Sequence, residues 1–257
     1  MLITLTAPAF AETWYIENGD ITVKASGTEG KNTVSQGNKK DVEDTNTIIT
    51  GTSNGNTVTI DTSKGNVDVT FDDLNIDTSS RNNAAVSVTG SGNTTIKLDG
   101  DNHLAGGNGI YSNSSGSLTI SGDENDSLTA QGGDSRNGIY SVSGDVTISG
   151  GTVTATGGNS TGSYGSGGDG IRSDGGVTIS GGTVKAAGGD SKNGSGGDGI
   201  RSGDIDLSGS LELTAKAGSP TGKALLQNGR ELDLDTIKDK LGPGAKVTTI
   251  DADGKVI

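Results

Sequence analysis

Asn108-Gly109-Ile110-Tyr111-Ser112 returns as Asn137-Gly138-Ile139-Tyr140-Ser141, then as Asp169-Gly170-Ile171-Arg172-Ser173, and again as Asp198-Gly199-Ile200-Arg201-Ser202. The isoleucines stand 29, 32 and 29 residues apart. A repeat at this period marks an architecture whose units cannot bury their apolar faces alone and must stack. Each copy is followed by a second apolar-polar alternation: Leu118-Thr119-Ile120, Val146-Thr147-Ile148, Val177-Thr178-Ile179 and Ile205-Asp206-Leu207. A third follows: Leu128-Thr129-Ala130, Val153-Thr154-Ala155, Val184-Lys185-Ala186 and Leu211-Glu212-Leu213. Period-2 alternation is the pattern of a strand with one buried face.

Three short strands per unit predict one turn of a three-sided, right-handed parallel β-helix. Three inward columns follow: Ile110/Ile139/Ile171/Ile200, Ile120/Ile148/Ile179/Leu207, and Ala130/Ala155/Ala186/Leu213. Weaker copies lie upstream around Ile48-Ile49, Val58-Thr59-Ile60, Val67–Phe71, Leu74–Ile76, Ala85–Val88 and Thr95–Leu98. Together they predict an all-β solenoid of about six or seven rungs. Length differences between units fall at one corner, in the Gly/Ser/Asn loops 131–136, 157–168 and 188–197, which are expected to be mobile. The organisation expected is a leader over 1–11, a solenoid over 12–218 and a C-terminal cap over 219–257. A short helix near Leu232–Leu241 would end at Gly242-Pro243-Gly244.

Composition narrows the function. The 257 residues are 28% hydrophobic and 3% aromatic, with 46 glycines and a net charge of -13. That balance argues against nucleic acid, which needs clustered cations. The absence of cysteine excludes disulfides and thiolate chemistry. Ala9-Phe10-Ala11 after a short apolar run reads as the end of a secretory signal, so an extracellular location is expected. No stretch approaches the roughly 20 apolar residues of a membrane span. Two G-x-G-x-x-G matches, at Gly165–Gly170 and Gly194–Gly199, run into strands rather than helices and are not dinucleotide fingerprints. The single histidine, His103, excludes a multi-histidine metal site.

The outward residues are the candidate chemistry. Because isoleucine points in, its neighbour points out. Stacking then aligns Tyr111, Tyr140, Arg172 and Arg201 in one exposed column, with Asn108, Asn137, Asp169 and Asp198 in a column beside it. Aromatic faces next to planar hydrogen-bonding groups suit a sugar ring. The competing reading is an inert, solvated column. Asp169 and Asp198, with Asp174 and Asp204 nearby, are candidate calcium ligands, against the alternative of solvated surface acids.

Gly-Ile-x-Ser followed by Asp145-Val146-Thr147-Ile148-Ser149-Gly150-Gly151-Thr152-Val153-Thr154-Ala155 resembles a bacterial family of right-handed β-helix carbohydrate-binding proteins with a pectate-lyase-like fold. Similar strings occur in large bacterial cell-surface proteins. The resemblance covers about residues 45–218. It implies extracellular polysaccharide binding, with calcium at paired aspartates before Gly-Ile; this chain has Gly168-Asp169 and Gly197-Asp198 there. The functional expectation is a secreted, non-catalytic polysaccharide-binding protein. The rivals are a structural adhesin or spacer segment and a polysaccharide lyase with Arg172 or Arg201 as base.

Overall fold

The computed structural model describes residues 11–162 and 165–257. The leader expected over 1–11 lies outside these residues apart from Ala11. The described strands wind into a parallel β-solenoid of about six turns. Its first face stacks Ile21–Ala25, Val58–Thr62, Val86–Gly90, Ile110–Ser114, Ile139–Ser141, the starts of Ile171–Ile179 and Ile200–Leu207, and Leu225–Gln227. The second face carries the starts of Thr47–Ser53 and Val67–Asp77, then Thr94–Asp99, Leu118–Ser121, Val146–Ile148 and the later halves of the two long strands. The third runs from the end of Val67–Asp77 through Asp101–Gly106, Ser127–Gly132, Thr152–Thr156, Thr183–Ala187 and Glu212–Lys216 to Lys246–Ile250.

The first two inward columns are those read from the sequence. Ile110, Ile139, Ile171 and Ile200 are in register and fully buried. So are Ile120, Ile148, Ile179 and Leu207. Burying one such side chain stabilises the stack by about 1.5–3 kcal/mol.

The third column differs by one residue pair. Ala186 pairs with Ala215, while Leu213 continues Leu128, Val153 and Val184. A slip of two keeps every side chain on its own face, so alternation alone could not separate the two registers. The corner before Leu213 is one residue longer than its predecessor and tucks Leu211 inside, 1% exposed.

Both ends depart from the parallel pattern. Ile21–Ala25, Asn32–Gln36 and Lys39–Asp44 form an antiparallel meander, with Val34 fully buried. It turns at Gly37, where φ is +55°, a conformation glycine adopts without a Cβ clash. Trp14 packs there, its Nε1 donating to buried Asp44 at 2.8 Å. At the other end two short 3-10 turns, Leu234–Thr236 and Lys238–Lys240, stand where the sequence suggested one helix. Asp233 caps the first by accepting from the Asp235 N–H. Lys246–Ile250 then returns to the third face as one more stacked strand.

The described parts of the corner loops expected to be mobile, 131–136, 157–162, 165–168 and 188–197, carry backbone hydrogen bonds both within a loop and from one loop to the next. Gly158 N–H donates to the Arg136 carbonyl, Gly168 N–H to Gly158, Gly189 N–H to Gly168, and Gly197 N–H to Gly189. The backbones approach so closely that a Cβ on Gly158 would overlap the Gly133 carbonyl. Glycine at 158 permits this close approach.

Candidate ligand-binding groove

The column of alternating outward residues on the first face is in strict register. Tyr111 pairs with Tyr140, Tyr140 with Arg172, and Arg172 with Arg201. Rungs stack about 4.8 Å apart, so the column extends about 14 Å along the axis. The two tyrosine rings lie 5.7 Å apart, tilted by 59°. The Arg172 guanidinium sits 5.0 Å above the Tyr140 ring, a cation–π geometry. Asp174 holds this pair in place. It accepts from Arg172 Nε and Nη2, both at 3.2 Å, and from the Tyr140 hydroxyl at 3.4 Å. Arg201 is half exposed and lies 3.9 Å from Asp198, so most of its donors face solvent.

Asn108, Asn137, Asp169 and Asp198 stand beside this column, but their side chains point along the axis. Asn108 Oδ1 accepts the Asn137 N–H at 2.9 Å, and Asn137 Oδ1 accepts the Asp169 N–H at 2.7 Å. Asp169 Oδ1 then accepts the Asp198 N–H at 2.7 Å, and Asp198 Oδ1 the Lys223 N–H at 2.7 Å. The four form a ladder that satisfies amides at the tight Gly-Ile corner, which the inner strands cannot reach. One oxygen of each serves this ladder, and all four residues also line the groove beside the column. Asn66 and Asn93 repeat the device at the next corner, accepting from Asn93 and Ser117 N–H.

Burial pushes the Asp169 carboxyl up to about 6; the Asp198 N–H and the arginines Arg201 and Arg172 pull against this, while the Asp198 charge adds to it. Asp198 is also raised, again chiefly by burial. These carboxylates have one oxygen committed to a backbone amide, and Asp198 has a guanidinium alongside. Among the described residues no three His, Cys, Asp or Glu side chains gather as metal ligands. Asp174 is engaged with Arg172 and Tyr140, and Asp204 does not join Asp169 and Asp198 in any such group. The acidic pair thus serves the ladder through one oxygen of each carboxylate.

The column forms the floor of a groove of about 1010 Å³. The glycine-serine loops raise one wall, with Ser166, Ser195 and Gly167 lining it, and Arg136 stands at the lip. Arg136 and the serines escaped the sequence reading because they sit in the variable loops, outside the strand alternation. Asp174 was noted as an acid near the repeat; its spacing two residues after Arg172 was the available sign of an ion pair. No helix among the described residues is long and apolar enough to cross a membrane. No family model, curated protein or solved structure matches the chain.

Proposed function

We propose that this solenoid is a secreted, non-catalytic binding protein that holds a polysaccharide along the first-face groove. The observation that carries this reading is the registered Tyr111–Tyr140–Arg172–Arg201 floor beneath a hydrophilic wall. Tyr111 offers a ring to a sugar, and Tyr140, stacked between it and the Arg172 guanidinium, extends the aromatic surface. Arg201 offers fork donors to hydroxyl or carboxylate oxygens, and Arg172 adds the N–H groups that Asp174 does not take. An open, elongated trough matches a chain ligand better than a small molecule, which prefers an enclosing pocket.

A lyase reading asks an arginine to give up its proton. Burial would lower the Arg172 pKa, yet Tyr140, Asp174 and Asp169 together hold it above the ordinary arginine value. A general base needs the opposite shift. The spacer reading draws on the internal partners of Tyr140 and Arg172, which would organise the surface without any ligand.

A glycan array probed with residues 12–257, first in calcium and then in chelator, tests the proposal. Retention of plant or microbial polysaccharides in both buffers is the expected result. Retention only in calcium would instead place the acidic pair in the site. Failure to bind any glycan in either buffer would overturn the reading in favour of a spacer.

A further inference from the structure

The second face carries a groove of its own, separate from the tyrosine column. It has a volume of about 900 Å³ and is overhung at one end by the Gly27–Lys31 turn of the N-terminal meander. Thr95 and Thr119, in register on adjacent strands, lie on its floor. Lys31, Lys64 and Lys97 come to it from three different elements: the meander turn, the corner between the first two faces, and the strand Thr94–Asp99.

Charge makes this convergence notable. The chain has 32 acids against 19 lysines and arginines. Five of the described lysines are paired with acids: Lys24 with Asp41, Lys39 with Glu12, Lys223 with Glu231, Lys238 with Asp235 and Lys240 with Asp206. Among the described residues Lys31, Lys64 and Lys97 make no ion pair, although Glu29 and Asp68 also line the groove. With Glu29 and Asp68 in the same lining and Lys64 also acting on the Asp61 and Asp41 carboxylates, the three ammonium groups leave a modest positive excess above a floor of hydroxyls, which suits oxyanions. Ammonium groups are strongly hydrated point charges that suit sulfate and carboxylate without demanding one planar geometry. Among the described residues no aromatic side chain lines the groove, so neutral sugars and nucleobases would have nothing there to stack on.

We propose that this second-face groove binds an acidic saccharide segment, one bearing sulfate or carboxylate groups, through Lys31, Lys64 and Lys97. The site is independent of the tyrosine groove and does not rest on it. Fluorescein-labelled dextran sulfate, carboxymethyl dextran and uncharged dextran, titrated by anisotropy at low salt, serve as probes. The expected result is binding of at least one charged dextran and not of the neutral one. The combined variant Lys31→Gln, Lys64→Gln, Lys97→Gln should weaken it by about tenfold or more. Lys185→Gln with Lys246→Gln, exposed lysines on the third face, should leave it within about twofold. Preference for the sulfated or the carboxylated probe identifies the anion. The proposal is overturned if neither charged dextran binds, if the lysine variant binds as tightly as the parent, or if both variants lose affinity equally.

Discussion

Replacing Asp169 by asparagine isolates the electrostatic cost of the ladder from its hydrogen bonding. Asparagine already occupies the same column at 108 and 137. It keeps the Oδ1 that accepts the Asp198 N–H, and leaves intact the Asp169 N–H donation to Asn137. What changes is the charge. The carboxyl titrates at about 6 in the fold against 3.8 ordinarily, raised chiefly by burial. A folded-state pKa above the unfolded value means that the folded chain holds the proton more tightly. The associated stability is present below pH 3.8 and is lost as pH rises through about 6. The difference corresponds to about 3 kcal/mol. Urea unfolding of parent and Asp169→Asn at pH 4 and pH 8 measures it. Near-equal stabilities are expected at pH 4, with the variant ahead by up to about 3 kcal/mol at pH 8. A gap of the same size at both pH values, or a variant weaker than the parent at pH 8, would refute the argument.

Three further outcomes follow from the same geometry. Ile171→Asp puts an unpaired carboxylate into the fully buried isoleucine column and should abolish the cooperative thermal transition; a melt like the parent's would contradict the register. Asn137→Ala leaves the Asp169 N–H without its acceptor and should cost about 1–3 kcal/mol by urea unfolding, whereas an unchanged midpoint would mean that the ladder contributes nothing. Gly158→Ala forces a Cβ onto the Gly133 carbonyl and should cost on the order of 2 kcal/mol, seen as a lowered melting temperature; a neutral effect would show that the loops can spread apart freely.

The inward columns were legible because isoleucine at a fixed period, flanked by polar residues, admits only one buried face. The Tyr/Arg column was legible for the same reason, since parity alone places it outside. The ladder was not. An Asn or Asp before Gly-Ile reads equally well as a solvent-facing ligand or as an acceptor for the next rung's amide, and only the closeness of the corner decides. The meander at Asn32–Asp44 escaped because Asn32-Thr33-Val34-Ser35-Gln36 alternates as a parallel rung would; alternation encodes which face is buried, not strand direction. Leu213 was misplaced because Leu211, Leu213 and Ala215 all alternate inward, leaving the register to corner length.

The most direct test of the central claim is affinity electrophoresis through gels containing a polysaccharide retained on the array. Tyr111→Ala with Tyr140→Ala removes the ring faces while leaving the inward columns and the ladder untouched. The parent should be retarded by the polysaccharide, and the double variant should run as in a blank gel with an unchanged thermal transition. Equal retardation of both would contradict binding along the tyrosine–arginine floor.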